Sequence, residues 1–291
     1  MTSQPAPRDP GRAAAVAWLF VPGDRPERFT KAVASGADAV ILDLEDAVAP
    51  AHKDAAREQI AGWLSGAGRG WVRINAAGTP WYGPDVAALA GVPGLLGLVV
   101  PKSEDPDVLR ELARRNDPAV GILALVESAL GVHRAVEIAS SGAVDRLAFG
   151  SIDFAEDVGA DGSWEALLVA RGTLVLASRI AGLTAPVDGV TTALRDPDRL
   201  AADVAAARRF GFAGKLCIHP DQVRPVQVGF APTEQEVVWA ERILAAAGDT
   251  RGAVAVDGAM VDRPVLARAQ RILDQRRPGH VVEGDEIRRH F

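Results

Sequence analysis

The chain has one cysteine, one tyrosine and two methionines in 291 residues, and aromatic residues make up only 5% of it. A single cysteine, Cys217, excludes an intrachain disulfide and any zinc site built on clustered cysteines. It sits in the apolar run Gly214-Lys215-Leu216-Cys217-Ile218, the setting of a buried structural thiol rather than a nucleophile. The histidines, His52, His133, His219, His280 and His290, are scattered without zinc spacing. No uninterrupted apolar stretch approaches the roughly 20 residues that a membrane-spanning helix needs. Positive charge is not in excess either: 32 Lys and Arg face 38 Asp and Glu, a formal net charge of −6. With no basic field to neutralise a phosphate backbone, nucleic acid is not an expected partner. A Gly-rich dinucleotide turn after a strand is missing, because Gly66-Ala67-Gly68-Arg69-Gly70 precedes a strand instead. The short apolar segment from Ala13 to Val21 has a flank of mixed charge and no small-residue cleavage site. It is the approach to a first strand rather than a signal peptide, so a cytoplasmic enzyme is expected.

What the chain has is rhythm. Apolar runs end in polar punctuation and alternate with helical patterns: Trp18-Leu19-Phe20-Val21, Ala39 to Leu44, Trp71 to Asn75, Leu95 to Val100, Val120 to Val126, Arg146 to Phe149, a weaker run at Ala185 to Asp188, and Lys215 to Ile218. Nearly continuous apolar strands imply burial on both faces, and an intervening helix is what parallel pairing requires. This predicts a closed (β/α)₈ TIM barrel. After His219 the pattern changes. Thr233 and Glu236 have capping-box spacing before a helix to Gly248, residues 252–260 contain Gly and read as extended, and Pro264 to Arg276 reads as helix. The expected organisation is a disordered tail over 1–13, a barrel over 14–231 and a helical extension or lid over 232–291.

Function in such a barrel concentrates where strands end. Glu127 and Asp153 end neighbouring strands. Two carboxylates side by side repel unless a cation lies between them, and oxygen donors plus water suit Mg²⁺. The alternative is that each caps the helix that follows it. Arg73 lies inside an apolar strand, where a guanidinium is costly without an anion. It either pairs with Asp43 or Glu45 or faces a developing oxyanion in the barrel mouth. Glu45 and Asp46 are expected to serve structurally, paired with bases such as Lys53 and Arg57 on the next helix.

The runs Leu19-Phe20-Val21-Pro22-Gly23, Leu42-Asp43-Leu44-Glu45-Asp46-Ala47-Val48, Val72-Arg73-Ile74-Asn75, Val126-Glu127-Ser128-Ala129, Phe149-Gly150-Ser151-Ile152-Asp153-Phe154 and Ile218-His219-Pro220 occur in this order. In them the chain resembles the citrate lyase β-subunit-like proteins of the HpcH/HpaI aldolase superfamily, and most of all their free-standing malyl-CoA and citramalyl-CoA lyases. The resemblance runs from about Trp18 to Leu273. It implies Mg²⁺ held by Glu127 and Asp153, with Arg73 at the reacting carbonyl. It implies Phe20, Arg25, Lys31, Ile152 and His219 around the substrate or CoA. Met260-Val261-Asp262-Arg263-Pro264 matches a mobile segment whose aspartate completes a neighbouring subunit's site, which implies a catalytic Asp262 and a homo-oligomer, trimer or hexamer. Taken alone, Asp262 is a helix N-cap before Pro264. The reaction implied is a Claisen or retro-Claisen step on a 3-hydroxyacyl-CoA, giving acetyl-CoA and a 2-oxoacid. The alternatives are a class II aldolase on free 2-keto-3-deoxy acids and a malyl-CoA thioesterase.

Overall fold

The computed structural model describes residues 15–247, 254–256 and 259–275. The proposed tail over 1–13 and parts of the C-terminal extension lie outside these residues. The chain divides into two compact units, with the border between Val226 and Gln227.

The first unit carries strands β1 (Ala17–Pro22), β2 (Ala39–Asp43), β3 (Gly70–Arg73), β4 (Leu95–Val100), β5 (Gly121–Val126), β6 (Arg146–Phe149) and β7 (Lys215–Cys217). All pair in parallel, in the order β6-β5-β4-β3-β2-β1-β7. The weak run at 185–188 closes the ring between β6 and β7. It is reduced to the bridges Ala148↔Val187 and Asp188↔Lys215, backed by amide hydrogen bonds from Phe149 to Val187 O and from Leu216 to Asp188 O, both 2.9 Å. The fold is thus the α/β barrel expected, with one stave shortened to a single bridge on each side. Pro186 lies in that stave and has no N–H to donate, which accounts for part of the loss.

Alternate residues of each stave point inward, and Trp18, Ile41, Trp71, Val99, Leu123, Leu125, Ala148, Val187 and Leu216 form one buried cluster. Trp18 and Trp71 meet edge to face at 5.0 Å. Gly97 on β4 makes room for them, since a Cβ there would lie 2.3 Å from the Trp71 ring. At the amino end of β6, buried Arg146 donates to the carbonyls of Ala185 (2.7 Å) and Ala15 (2.6 Å), tying the closing stave to the approach of β1.

Helices α1 (Phe29–Ala34), α2 (Lys53–Ser65), α3 (Tyr82–Leu89), α4 (Pro106–Arg115), α5 (Ala129–His133), α6 (Ala135–Ala139), α7 (Ser151–Val158), α8 (Leu168–Ile180) and α9 (Pro197–Phe210) follow the staves in turn, and α10 (Val223–Phe230) spans the border. Two helical readings change. The sequence did not signal α7, which starts straight after β6 and places Asp153 in its first turn. The sequence pattern predicts a long helix from about Trp164 to Ile180, but it begins only at Leu168.

The second unit holds α11 (Glu234–Ala247), an antiparallel pair β8 (Val254–Val256) and β9 (Ala259–Val261), and α12 (Arg263–Asp274). The capping box forms as spaced: the Thr233 amide donates to Glu236 Oε2 (2.9 Å) and the Glu236 amide donates to Thr233 Oγ1 (3.2 Å). Ala240, Ile243, Val261, Ala269 and Ile272 give this unit a small core of its own. Among the described residues, no helix is long and apolar enough to cross a membrane.

Candidate active site at the carboxyl end of the barrel

Parallel staves bring their carboxyl ends to one rim, and the polar residues singled out in the sequence gather there by that topology. Asp43 and Arg73 are register partners on β2 and β3. Arg73 Nε and Nη2 donate to the two Asp43 oxygens at 2.7 and 2.6 Å. Its Nη1 lies 2.9 Å from Glu45 Oε2 and 3.2 Å from Asp46 Oδ2. Burial alone would lower the guanidinium's pKa, but Asp43, followed by Glu45 and Asp46, more than offsets this and moves it upward. The Phe20 ring lies 4.8 Å from the guanidinium. Glu45 and Asp46 therefore pair with Arg73, which corrects the expected pairing with the following helix. Lys53 instead donates to the carbonyls of Leu44 (2.8 Å) and Glu45 (3.0 Å) and to Asn75 Oδ1 (2.6 Å). Arg57 pairs with Asp85 and Asp54.

Glu127 and Asp153 do not cap helices. The cap of α5 is Ser128, whose Oγ accepts from the Gly131 amide (3.1 Å), and Asp157 accepts from the Ala129 amide (2.7 Å). The acidity after Asp153 thus has a structural use at Asp157. Glu127 Oε1 accepts from the Lys102 amide at 2.8 Å, and Lys102 Nζ lies 2.7 Å from Asp153 Oδ2 and 3.9 Å from Glu127 Oε1. Burial pushes the Glu127 carboxyl up to about 7, with the Lys102 amide opposing and Asp153 reinforcing the shift. Burial likewise pushes Glu45 up to about 8 against the pull of Arg73, while Glu127 reinforces it. Glu45 Oε2 is buried near Arg73 without an aligned hydrogen bond. Arg73, Glu45, Glu127, Lys102 and Asp153 are thus one coupled electrostatic group.

This donor set fits a hard divalent cation. Two carboxylates at the ends of neighbouring staves already hold a positive group between them, and the buried Glu127, whose carboxyl resists ionisation, gains from a stronger cation. Among the described residues, no group of three or more His, Cys, Asp and Glu side chains converges as a metal cage. That is compatible with an ion whose other ligands are water and ligand oxygens.

The remaining sequence candidates do not join this group. Arg25 is exposed after β1, with Nε 3.8 Å from Asp24, and Lys31 is exposed on α1. Ile152 is exposed beside Asp153. His219 follows β7 and its Nδ1 accepts from the Asp221 amide at 3.2 Å. Asp262 belongs to the second unit, where its Oδ1 accepts from the Val265 amide (3.2 Å) as the N-cap of α12. Lys102 received no role from the sequence. Its only signal there was its place after Pro101, at the end of the stave beside the Glu127 stave.

The chain is 40% identical over 278 residues to a citrate lyase subunit beta-like protein of Mycobacterium tuberculosis, covering 93% of this chain and 98% of that one. It is 35% identical to a (3S)-malyl-CoA thioesterase of Cereibacter sphaeroides, covering 87% and 94%, and 32% identical to mitochondrial citramalyl-CoA lyase of Mus musculus, covering 88% and 84%. A crystal structure of the M. tuberculosis protein CitE in complex with magnesium, acetoacetate and coenzyme A superposes with a TM-score of 0.80 at 38% identity, covering 90% of this chain and 98% of that one. Residues 17–220, from the first stave to just past the last, match the HpcH/HpaI aldolase/citrate lyase family, and the chain belongs to that family.

Proposed function

We propose that this chain is a magnesium-dependent carbon–carbon lyase acting on a 3-hydroxyacyl-CoA such as malyl-CoA or citramalyl-CoA, giving acetyl-CoA and a 2-oxoacid. The observation that carries the reading is the pair Glu127 and Asp153, set around a cationic group with Arg73 in the same electrostatic cluster. The relatives support it, since one is named a citramalyl-CoA lyase and a similar structure holds magnesium and coenzyme A.

Glu127 and Asp153 would hold the ion, which when bound supplies a Lewis acid and a template for the substrate's oxygens. Cleavage removes the proton of the 3-hydroxyl and breaks the bond between C2 and C3. The electron pair of that bond becomes the enolate of the thioester, and a proton then returns to C2. Arg73 is the donor for the enolate oxygen, where charge develops. Of its partners, Asp46 is the longest pairing and the most exposed, so it is the one an arriving oxyanion displaces. Asp262 is assigned the proton transfer at C2, reaching the site of a neighbouring subunit in a trimer or hexamer. Phe20, Ile152 and His219 would line the acyl end, and Arg25 and Lys31 would hold CoA phosphates. A cytoplasmic location suits a substrate of this kind and a chain with one thiol.

The test is a panel of acyl-CoA and 2-oxoacid pairs incubated with Mg²⁺ and read by mass spectrometry. The expected products are malyl-CoA- or citramalyl-CoA-type adducts, or their cleavage to acetyl-CoA. Free CoA without acetyl-CoA would replace the lyase by the thioesterase, the activity named for the Cereibacter relative. Turnover confined to free 2-keto-3-deoxy acids would replace it by the aldolase.

A further inference from the structure

Lys102 carries three unusual features at once. Its φ is +45°, the only positive value outside glycine among the described residues. Its amide donates to Glu127 Oε1, and its ammonium reaches Asp153 Oδ2 at 2.7 Å and Glu127 Oε1 at 3.9 Å. A left-handed backbone is unfavourable for lysine and persists only where the surroundings over-determine it. Here the surroundings are those two carboxylates. The hydrogen bond from its amide to Glu127 fixes one end of the residue, and the tight conformation turns the side chain back across the rim to Asp153. The side chain is 47% exposed, so the ammonium can leave for water without crossing packed core.

From this geometry we propose that Lys102 is a resident counter-ion of the Glu127–Asp153 pair. Without a divalent ion, its ammonium neutralises the two carboxylates. A divalent ion enters by displacing the ammonium into solvent, while the Lys102 amide keeps its hold on Glu127. The inference rests on reading Glu127 and Asp153 as metal ligands, and it assigns the residue that sets the affinity of that site. The ammonium lowers affinity by competing, and in return spares the rim the repulsion of two uncompensated acids.

Two measurements on the full-length protein test it, neither of which uses activity. The first is a Mn²⁺ titration followed by electron paramagnetic resonance, without substrate. Lys102→Met should bind Mn²⁺ about tenfold more tightly than wild type, the scale expected for losing one half-exposed competing charge. Lys102→Arg should stay within about twofold of wild type, because the competing charge remains. The second is lysine acetylation footprinted by mass spectrometry on the wild-type protein, where saturating Mg²⁺ should speed labelling of Lys102 severalfold and leave surface lysines such as Lys31 unchanged. Equal or weaker Mn²⁺ binding by Lys102→Met, or labelling of Lys102 that Mg²⁺ does not alter, would overturn the counter-ion role. Absence of Mn²⁺ binding in wild type and both variants would instead overturn the metal site itself, so the two failures are separable.

Discussion

Arg73 and Asp43 face each other across β3 and β2 in a two-bond grip, Nε to Oδ1 at 2.7 Å and Nη2 to Oδ2 at 2.6 Å. The grip fixes the plane of the guanidinium. Asp43 is fixed in turn, because its oxygens also accept the amides of Glu45 (2.9 Å) and Ala47 (3.1 Å). Arg73→Lys keeps the charge but cannot reproduce the fork. We expect it to fold and to lose roughly a hundredfold in kcat, the scale of removing one oxyanion donor. Arg73→Met leaves Asp43 and Glu45 buried without their counter-charge, which should cost about 3–5 kcal/mol in a denaturant titration. Full turnover by Arg73→Lys would remove Arg73 from the chemistry.

Mg²⁺ should stabilise the folded chain by mass action. At a concentration a hundred times its Kd, the gain is about 2.7 kcal/mol, visible as a rise in Tm. Glu127→Gln keeps the shape of the side chain and removes the charge, so the rise should vanish with it. An equal Mg²⁺-dependent rise in both proteins would place the ion elsewhere.

Gly150 leads from β6 into α7, and a Cβ there would lie 2.3 Å from Glu127 Oε2 and 2.5 Å from Glu127 Cβ. Glu127 owes its position to that missing methyl group. Gly150→Ala should push the carboxylate out of place and weaken divalent-ion binding about tenfold or more by calorimetry, as loss of support behind a ligand does. Unchanged affinity would show that the site tolerates a moved Glu127.

Cys217 is fully buried on β7, and burial pushes its thiol up to about 12, with Lys215 only partly offsetting. An acid with a raised pKa stays protonated below it, so the native thiol should carry almost no thiolate from pH 7 to pH 9. A disulfide reagent should leave it unmodified across that range and titrate one thiol per chain in denaturant. Rapid native labelling that accelerates with pH would contradict the burial.

How far the sequence foretold this can be seen at single residues. The staves were legible because burial on both faces leaves continuous apolar runs, and the rim residues because they stand where those runs stop. Glu127 and Asp153 were marked as a pair, but the choice between cation ligand and helix cap depended on whether another residue capped the helix. Ser128 does so for α5, a fact of geometry that spacing does not encode. Helix α7 was missed because Ser151-Ile152-Asp153-Phe154 follows β6 at once, with no turn residue to separate them beyond Gly150. Lys102 stands at a stave end in the sequence, but its partner is not legible there, because the contact with Asp153 spans 51 positions and depends on a backbone angle that lysine rarely adopts. Of the two partners of Arg57, Asp85 is hidden for a like reason, since it lies 28 residues away on α3.

The closing stave around Val187 and Asp188 has a last consequence. Its short backbone ladder, which includes Val187 N to Leu147 O (2.9 Å) and Asp188 N to Gly214 O (2.8 Å), is braced by charge: Asp188 receives Arg171 Nε at 2.9 Å and Lys215 Nζ at 3.3 Å, all three buried. A ring with one stave this short is not equally strong around its circumference, and its amides should exchange with solvent soonest at that joint. The joint adjoins β6, whose end leads to Asp153, so one carboxylate of the rim pair would sit beside the stretch expected to open first.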